Sequence, residues 1–553
     1  MAKLTGAQVF VECLKQEGVE VVFGVPGGQT LSITNALYDT SIRFVTARHE
    51  GAASHMADGY GRITGKPGIA LATTGPGATN MITGVGGAHR DSSPVVIVTC
   101  NNRRRHIGLD DNQDADHIPL FEQFTKWSRF VPDAEAVAQA TREAFRVALS
   151  GNPGPVHLDF ARDAIEGGTV EFEPQSPSAY RSTAKPQADS ASVAAALDLV
   201  LSSERPAIWA GNGVTLSDAG DAVVALARAL GVPIVTTYNG IGAVPGNDPL
   251  VFGPRSRFGT KVSKQALTGA DCVLAVGVSM NAASTSRWTL PLARKLVQVD
   301  LDPTMIGRHY PVAASVVGDA KHAVEAMVAL ATPAKIGDRA SQRAAWLREL
   351  NDFRGKWRKE LAPVSDSDAA PIAPQRVMRD AGKLIDANTI VVADAGNPGI
   401  WTHLLELPSK RSYMKPVGFG NMAFGLPAAI AAKLARPDHR VLLFVGDGSL
   451  GMSLAEIETA VRERTPIAIV VMNDCGYGNI KQEELHYFGP RYIGVDFTDV
   501  RYADVATAMG AAGERVTQPR DLQAALARAL ASDVPYLVDV MIDPAQNVWD
   551  EPI

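Results

Sequence analysis

Short apolar runs alternate along the chain with segments whose apolar residues recur at helical spacing. Several of the runs directly follow a proline, and they indicate strands, whereas residues 135–149 and 192–201 have the periodicity of amphipathic helices. Strands that alternate with helices predict parallel α/β sheets along the whole chain. The strand-like runs include residues 95–98, 234–235, 390–393, 441–445 and 467–472.

Two stretches rich in Pro, Ser and charged residues lack this periodicity, and we expect them to be linkers. They are residues 171–189 and about 333–374, and the second also contains a charged helix near residues 344–350. Between the linkers lie three blocks of comparable size. We predict one doubly wound parallel-sheet domain for each block, with bounds at residues 1–170, 190–333 and 374–553.

The first and third blocks end alike. The segment GPVHLD at residues 154–159 parallels VPYLVD at residues 534–539, and each follows a helix-like segment, which indicates a duplicated domain. The middle block has a Rossmann-like pattern, in which an early strand ends at Gly211 and Gly213 and a later one ends in the acidic segment VDLDP at residues 299–303. Two glycines alone are a weak signal for a nucleotide.

Composition limits the classes of function. The chain has 553 residues, 46% of them hydrophobic and 20% charged, as in a globular protein with large cores. A net charge of −6 provides no basic surface for nucleic acid. The cluster Arg103 to Arg105 is interpreted as a solvated loop, although a site for a nucleotide or acyl-CoA phosphate stays open.

Location can also be predicted from the sequence. No apolar run approaches the roughly 18 residues of a membrane span, and residues 1–6 lack the apolar core of a signal peptide. The four cysteines are widely separated, which indicates free thiols in a reducing compartment. We therefore expect a cytoplasmic protein without membrane or nucleic-acid partners.

Two acidic, glycine-rich corners follow neighbouring apolar runs in the third block. They are VGDGS at residues 445–449 and MNDCGYG at residues 472–478, with a helix-like segment between them. In an open parallel sheet such corners lie side by side at the carboxyl ends of the strands, where ligands bind. Two carboxylates there would hold a hard divalent cation, and backbone N–H groups would hold phosphate. The spacing and order predict a Mg²⁺-diphosphate site.

Two further segments, RHEGAASHMADGY at residues 48–60 and ATTGPGATN at residues 72–80, lie far upstream of these corners. With them the chain resembles, almost from end to end, the thiamine diphosphate enzymes of the acetolactate synthase, benzaldehyde lyase and 2-oxoacid decarboxylase superfamily. This resemblance implies a pyrimidine-binding domain, a central Rossmann-like domain and a diphosphate-binding domain. It also implies that thiamine diphosphate and Mg²⁺ are the cofactors.

The resemblance implies a role for Glu50. In the family, a glutamate at this place hydrogen-bonds the aminopyrimidine ring and stabilises the imino tautomer that removes the C2 proton. A poorly solvated cleft would raise the pKa of such a carboxyl group and ease proton sharing. Gly75, in the second upstream segment, is expected to contact the cofactor as well. Without the resemblance, Glu50 would be interpreted as a surface acid or a charge at a helix start.

The segment GFGNMAFGLP at residues 418–427 matches the part of the family that bends the cofactor. It implies that Met422 is the apolar wedge between the two rings and that the carbonyl of Gly420 receives the 4′-amino group. A thioether suits an irregular gap of this kind. The alternative for Met422 is an ordinary core residue.

For the diphosphate anchor, the resemblance implies carboxylate oxygens from Asp447 and Asp474 and the backbone carbonyl of Gly476 as metal ligands. Most relatives carry Asn-Asn where this chain has Asn473 and Asp474; the added charge should tighten Mg²⁺ binding. The remaining expected contacts of the cofactor are Gly396, Asn397, Gly446, Gly448, Ser449, Tyr477 and Gly478.

Substrate-binding residues are implied on both outer domains. Gly28 and Gln29 match the loop that faces C2, and Gln113 matches a glutamine of the synthase and lyase branch. Asn479 and Glu483 lie just beyond the metal corner, and each could instead be a solvent-exposed polar side chain. We assign catalytic roles to Glu50, Gln29 and Gln113. These polar groups favour a short or polar substrate over a bare aromatic ring.

The central domain departs from biosynthetic acetohydroxyacid synthases. Where those enzymes carry Arg-Phe-Asp-Asp-Arg beside the flavin, this chain has VSMNAASTSR at residues 278–287. The departure weakens FAD binding and the acetolactate assignment, so FAD or ADP in the central domain is allowed by the resemblance but not favoured.

The leading hypothesis is decarboxylation of a 2-oxo acid with carboligation to a 2-hydroxyketone. A 2-hydroxyketone lyase and a simple 2-oxoacid decarboxylase stay open as alternatives. A non-catalytic homologue is disfavoured, because it would not need Glu50. We expect a homodimer or homotetramer with the cofactor at the subunit interface, as in the family.

Overall fold

The computed structural model describes residues 2–293 and 295–549, and within them the chain forms three six-stranded sheets. Every pairing in these sheets is parallel. Their apolar strands are buried on both faces by helices, as parallel sheets require. The predicted fold class, three doubly wound α/β units, is therefore confirmed, whereas the proposed domain bounds stay predictions.

The two outer sheets share one strand order, 2-1-3-4-6-5 when the strands are numbered along the chain within each sheet. The repeated order supports the duplication inferred from the sequence. The first sheet contains, in spatial order, Arg43–Thr46, Val21–Gly24, Gly68–Ala72, Val95–Asn101, Pro155–Ala161 and Ser128–Val131. The third contains Tyr413–Met414, Thr389–Ala393, Arg440–Gly446, Ala468–Asn473, Tyr536–Met541 and Ala512–Val516.

The central sheet has the order 3-2-1-4-5-6, which is that of the Rossmann fold. Its strands, in spatial order, are Val251–Arg255, Ile234–Thr237, Pro206–Ala210, Cys272–Val276, Lys295–Asp300 and Ala314–Val317. Its helices are Ser190–Leu201, Asn212–Leu216, Gly220–Leu230, Lys261–Thr268 and Ala320–Leu330.

The helices of the outer units cover both faces of their sheets. Those of the first unit are Gly6–Gln16, Leu31–Tyr38, Glu50–Thr64, Pro76–Asn80, Ile82–Arg90, His117–Glu122, Ala134–Leu149 and Arg162–Glu166. Those of the third are Pro374–Gly382, Asn397–Trp401, Gly425–Ala435, Asp447–Ser453, Glu456–Arg462, Gly478–Phe488, Tyr502–Ala508 and Pro519–Ala531. Among the described residues, none of the helices has both the length and the apolar surface that crossing a membrane demands.

Both predicted linkers contain more regular structure than expected. The first begins inside the strand Thr169–Phe172, which pairs antiparallel with the N-terminal strand Ala2–Thr5. The second forms the 22-residue helix Ala344–Ser365 after two short helices, Pro333–Ile336 and Arg339–Gln342. In the long helix only Trp346, Leu350 and Ser365 are buried, so its apolar periodicity is too sparse to reveal its length.

The first and third units share one hydrophobic core. Helix Glu50–Thr64 packs against Gly425–Ala435 so closely that a Cβ on Gly59 would lie 2.8 Å from the Cα of Ala428. A side chain at position 59 would push the helices apart, which explains why glycine suits this contact. The packing fixes the first unit against the third within one chain.

Candidate active site

Glu50 is the first residue of helix Glu50–Thr64, at the carboxyl end of the first sheet. The helix starts there because the Nδ1 of His49 accepts the backbone N–H two residues on, at 3.0 Å, and because a negative charge favours the first turn. The Oε2 of Glu50 accepts a hydrogen bond from Asn80 at 2.9 Å. Gly77 lies beside the other oxygen, since a Cβ there would be 3.5 Å from Oε1. Glu50 is half-buried, and its carboxylate is held by Asn80.

Gly75 brings Gln113 to the same edge of the sheet. Gly75 has a φ of +56°, and a Cβ on it would lie 2.5 Å from the carbonyl oxygen of Gln113, so only glycine fits. Gln113 itself has a φ of +60°, a conformation that costs about 1–3 kcal/mol in a residue other than glycine. The loop that contains Gln113 is thus pressed against the corner next to Glu50.

Gln29 completes this group from the turn Gly28–Thr30. Its Oε1 accepts a hydrogen bond from Thr73 at 2.7 Å, and its Nε2 donates to Asn102 at 3.2 Å. Gly28 beside it is exposed, with open space where a Cβ would stand. The structure therefore brings together all three residues to which the sequence assigned catalytic roles. We call this group the first half-site: Gln29, Glu50, residues 73–77 and Gln113.

The sequence did not indicate His117 and Asp159, which support the first half-site from below. Both are buried, and the Nδ1 of His117 lies 2.9 Å from the Asp159 carboxylate. The Nε2 of His117 accepts the backbone N–H of Gly75 at 3.0 Å, which leaves Nδ1 to donate to Asp159. The pair holds the Gly75 corner in place. In the sequence, only the GPVHLD segment, which contains Asp159, gave a signal for this pair.

Asp447 and Asp474 meet at the carboxyl ends of strands Arg440–Gly446 and Ala468–Asn473, which are neighbours in the third sheet. The Oδ2 of Asp447 accepts the backbone N–H of Gly476 at 3.0 Å. Burial raises the pKa of Asp447 to about 6. Burial, and next the charge of Asp447, raise the pKa of Asp474 to about 7. Two carboxylates in one poorly solvated corner are costly unless a cation or a proton lies between them.

The polar atoms of this corner fit Mg²⁺. The Oδ1 of Asp447 is buried without a hydrogen-bond partner, which leaves a lone pair free for a metal. Among the described residues, no group of three or more His, Cys, Asp and Glu side chains is arranged for a metal ion. A cation here would need further oxygens from a backbone carbonyl and from the ligand itself. The donor set fits Mg²⁺ bound together with a diphosphate.

Glycines keep the surroundings of this corner narrow. A Cβ on Gly478 would lie 1.9 Å from a carboxylate oxygen of Asp474, and one on Gly476 would lie 2.4 Å from the backbone oxygen of residue 495. A Cβ on Gly448 would lie 2.7 Å from the ring of Tyr477. Gly446 ends its strand, and its ψ of 154° turns the chain into the next helix. The predicted anchor residues therefore occupy one compact corner.

The neighbouring loop joins the corner through two asparagines. Gly396 has a φ of +84°, and Asn397 after it is buried. The side chain of Asn397 accepts a hydrogen bond from Asn479 Nδ2 at 2.7 Å, so a predicted substrate residue and a predicted diphosphate residue touch. Glu483 lies one helical turn beyond Asn479 on helix Gly478–Phe488 and is half-buried.

Gly420 and Met422 lie on an open stretch beside the corner. Gly420 has a φ of +73° and open space around the position of a Cβ. Met422 is half-buried rather than part of the fully buried core. The backbone N–H of Ala423 donates to Ser449 Oγ at 3.0 Å and ties this stretch to the corner. We call Gly396, Asn397, Gly420, Met422, residues 446–449 and residues 474–479 the second half-site.

The two half-sites of one chain lie on different units. In the described parts of the chain, no hydrogen bond or ion pair joins a residue of the first half-site to one of the second. Each is nevertheless built at the same place in a sheet of the same topology. Glu50 and the Asp447–Asp474 corner are therefore carried by different units of the chain.

A cavity of about 820 Å³ opens at the carboxyl ends of the central strands. Residues that line it include Asn212, Trp288 and Asp300, and burial raises the pKa of Asp300 to about 6. The glycines of this unit have a packing role. A Cβ on Gly211 would lie 2.0 Å, and one on Gly213 2.6 Å, from backbone atoms of residue 277. Close packing against residue 277 thus explains why glycine occupies positions 211 and 213, without a bound nucleotide.

A duplicated pair of outer units with an acidic, phosphate-compatible corner defines an enzyme that binds a diphosphate-bearing cofactor. Comparison with protein families agrees with this class. Residues 4–120 match the thiamine pyrophosphate enzyme N-terminal TPP binding domain, residues 193–327 the central domain, and residues 394–540 the C-terminal TPP binding domain. The chain belongs to the thiamine pyrophosphate enzyme family, and its cofactor is thiamine diphosphate.

Relatives with full-length similarity have more than one name. The chain is 33% identical to a probable acetolactate synthase large subunit of Methanocaldococcus jannaschii, over 98% of this chain and 93% of that protein. It is 31% identical to the acetolactate synthase large subunit of Haemophilus influenzae, over 99% and 96%. It is also 32% identical to a sulfoacetaldehyde acetyltransferase of Alcaligenes xylosoxydans xylosoxydans, over 96% and 90%.

Proposed function

We propose that this enzyme uses thiamine diphosphate and Mg²⁺ to decarboxylate a short or polar 2-oxo acid and to join the product to a second carbonyl. The product would be a 2-hydroxyketone, as the names of the acetolactate synthase relatives suggest. The observation that carries the proposal is the first half-site. There Gln113 is held against Gly75, Gln29 accepts a hydrogen bond from Thr73, and Asn80 donates one to Glu50.

When bound, thiamine diphosphate supplies the nucleophilic carbon of its thiazolium ring. The task proposed for Glu50 is to share a proton with the aminopyrimidine nitrogen through Oε1, while Asn80 holds Oε2. Met422 would press on the cofactor from the apolar side, and the carbonyl of Gly420 would accept its amino group. The hydrogen bond from the backbone N–H of Ala423 to Ser449 supports these roles, because it holds the stretch that contains Gly420 and Met422 against the corner.

The anchor is proposed at the second half-site. Asp447, Asp474 and the carbonyl of Gly476 would hold Mg²⁺, and N–H groups of Gly448 and Ser449 would hold diphosphate oxygens. The unpartnered oxygen of Asp447 supports this assignment. The raised pKa values of the two aspartates support it as well, because a divalent cation would relieve their repulsion.

The reaction after decarboxylation depends on the groups that face the second carbonyl. Gln29 and Gln113 can orient a polar acceptor through hydrogen bonds but are poor proton donors. This chemistry favours carboligation over release of a free aldehyde. Because the relatives are named for different reactions, similarity alone leaves the acceptor open. A 2-hydroxyketone lyase and a simple decarboxylase remain the alternative activities.

We further propose that the active unit is a homodimer or a pair of such dimers. Glu50 of one chain would complete the second half-site of its partner; the location of the two half-sites on different units, with no hydrogen bond or ion pair between them, supports this arrangement. Exposed apolar residues near the second half-site support a protein partner at this face. They include Met452, Ile480, Phe488 and Ile493, whose exposed fractions run from 49% to 85%.

Product analysis tests the proposed reaction. The holoenzyme, reconstituted with thiamine diphosphate and Mg²⁺, would be incubated with short 2-oxo acids, with and without an added aldehyde. CO₂ release accompanied by a chiral 2-hydroxyketone is the expected result. Free aldehyde as the sole product would assign the enzyme to the decarboxylases. Cleavage of 2-hydroxyketones without CO₂ release from any 2-oxo acid would assign it to the lyases.

A further inference from the structure

The stretch of the third unit that presents Gly420 and Met422 is held at both ends. After it, Ala423 donates to Ser449, and Gly425 donates to a carboxylate oxygen of Asp394 at 2.8 Å. Before it, the first unit of the same chain provides the contacts. The Asp91 carboxylate accepts the backbone N–H groups of Gly418 at 2.8 Å and of Val417 at 3.1 Å.

Asp91 is well placed to act as a rigid support. Its carboxylate is buried and also bonds Arg62 at 3.0 Å and Asn239 of the central unit at 2.6 Å. The four partners use both oxygens, and they come from all three units of the chain. A carboxylate with this many charge-assisted bonds has little freedom to move.

Helix Ile82–Arg90, which Asp91 follows, continues the support with a surface of glycines. A Cβ on Gly86 would lie 2.9 Å from the ring of Phe419, and one on Gly87 would lie 2.9 Å from the side chain of Asn421. A Cβ on Gly418 would in turn lie 2.7 Å from Asp91 Oδ1. Residues 418–421 therefore rest directly on this helix and its final aspartate.

The held stretch contains strain that requires such support. Ala423 has a φ of +69°, which costs about 1–3 kcal/mol in a residue other than glycine and persists only where the surroundings impose it. Between the two ends lie Gly420 and Met422, with open space beside Gly420. A shift of the Asp91 end would therefore move the two groups proposed to bend the cofactor.

From this geometry we infer that Asp91 is a positioning residue for the catalytic segment 417–422 of its own chain. The inference rests on the proposed roles of Gly420 and Met422. One first unit would then serve two active sites. Its Glu50 would act in the site of the partner chain, whereas its Asp91 would act in the site built on its own third unit.

The variant Asp91→Asn tests the inference because it keeps the shape of the side chain. The asparagine amide has one oxygen acceptor instead of two, and its NH₂ group would face at least one of the N–H donors that now bond Asp91. We expect turnover at saturating cofactor to fall by about 10-fold to 100-fold, the range for misplacement of reacting groups by about 1 Å. Exchange of the cofactor C2 proton for deuterium should slow in parallel, and the near-ultraviolet circular dichroism of bound cofactor should change.

Asp58→Asn is the matched control. Asp58 is equally buried and pairs with the same Arg62, at 2.7 Å through both oxygens, but its carboxylate bonds go to that arginine rather than to residues 417–422. Its C2 exchange and turnover should remain near wild type. Gly418→Ala is the second variant, since it disturbs the same contact from the other side if Asp91→Asn does not fold. Normal C2 exchange in folded Asp91→Asn or Gly418→Ala would overturn the inference.

Subunit mixing gives a second, sharper test. In heterodimers of Asp91→Asn with Glu50→Gln, both defects fall on one site, and the other site stays intact. This mixture should recover up to about a quarter of wild-type activity, because half of the randomly formed dimers are heterodimers with one good site. A mixture of Asp91→Asn with Asp447→Ala should recover nothing. The reverse pattern would mean that Asp91 acts through the first half-site and would overturn the inference.

The two levels of proposal can fail separately. If Met422→Ala exchanges the C2 proton at the wild-type rate, the proposed role of the segment is wrong. If Met422→Ala is slow but folded Asp91→Asn is normal, only the role of Asp91 is wrong. If Glu50→Gln and Asp447→Ala subunits do not complement each other, the proposed sharing of sites between chains is wrong. The C2 exchange rates of folded Asp91→Asn and Gly418→Ala then decide whether Asp91 positions residues 417–422.

Discussion

Asn473 donates a hydrogen bond from Nδ2 to the buried carboxylate of Asp539 at 2.9 Å, across two neighbouring strands of the third sheet. The first sheet repeats this relationship between Asn101 and Asp159, also at 2.9 Å. In both sheets the aspartate faces the residue two positions before the asparagine. The duplication has thus preserved a buried polar pair, not only a strand order.

Each pair fixes the start of a functional corner. The residue after Asn473 is Asp474 of the proposed metal site, and the residue after Asn101 is Asn102, which bonds Gln29. Because a buried carboxylate accepts the hydrogen bond of the asparagine amide, it restricts the backbone direction of the residues that follow the strand. Both half-sites therefore follow the same buried asparagine–aspartate hydrogen bond at the same topological position.

Glu50→Gln should retain cofactor but lose at least about 100-fold in turnover, the lower range for general acid–base assistance. Glutamine can still accept the hydrogen bond from Asn80, so the local fold should persist. The measurement is steady-state turnover together with C2 hydrogen–deuterium exchange of bound cofactor. Exchange at the wild-type rate would show that Glu50 is not the proton-sharing acid.

Asp447→Ala should abolish Mg²⁺-dependent binding of the cofactor, because it removes a buried ligand whose free oxygen has no other partner. Asp474→Asn should be tolerated, since the amide keeps an oxygen ligand and removes one of two repelling charges. Calorimetric titration with thiamine diphosphate at several Mg²⁺ concentrations measures both effects. Complete loss of binding in Asp474→Asn at saturating Mg²⁺ would contradict the proposed geometry.

The stability of the metal-free protein should depend on pH through the same pair of aspartates. The pKa values of Asp447 and Asp474, about 6 and about 7, lie above the value of about 3.9 for an unfolded aspartate. The folded metal-free protein therefore binds more protons than the unfolded chain between about pH 4 and pH 7. Its stability should fall as pH rises through that window.

Mg²⁺ binding requires the ionised carboxylates, so its pH dependence has the opposite sign. Affinity for Mg²⁺ with thiamine diphosphate should fall by about tenfold per pH unit between pH 7 and pH 6, and by up to about 100-fold per unit below pH 6, where both carboxylates must lose a proton. Thermal melting of the metal-free protein and titration of Mg²⁺, both from pH 5.5 to 8, measure the two trends. Asp474→Asn should flatten both curves, and unchanged slopes in this variant would refute the coupling.

Mixed dimers should reveal how the half-sites are shared. Inactive Glu50→Gln and inactive Asp447→Ala subunits, after verified exchange, should together recover activity, because some heterodimers contain one unaltered site. The reason is the proposed arrangement, in which Glu50 of one chain completes the second half-site of its partner. If no activity returns, each site must be completed within a single chain.

Gln113→Ala should reduce carboligation more than decarboxylation. The side chain of Gln113 is proposed to orient the second carbonyl, which takes no part in CO₂ release. Rates of CO₂ and 2-hydroxyketone formation, measured in the same reaction, give the ratio directly. Gly75→Ala is a useful comparison, because its Cβ would displace the Gln113 loop without removing the amide. Equal loss of both rates in Gln113→Ala would place the glutamine in an earlier step.

Local sequence patterns determined the strands of the sheets and the positions of the two acidic, glycine-rich corners. Strands that are buried on both faces need unbroken apolar runs, so residues 441–445 and 467–472 indicated their strands to within one or two residues. The acidic and glycine-rich corners were visible for a similar reason, since each is a short segment directly after a strand. The resemblance carried by residues 48–60 and 72–80 then identified the family, which the comparisons confirm.

Tertiary structure alone decided which distant residues support those corners. His117 beneath Gly75, Asp539 behind Asn473 and Asp91 beside Gly418 join positions that are 42, 66 and 327 residues apart. A polar residue within an apolar run does not reveal its partner, because the partner depends on how helices and sheets pack. The relative placement of the first and third units has the same origin, because residues that are distant in the sequence form one shared core.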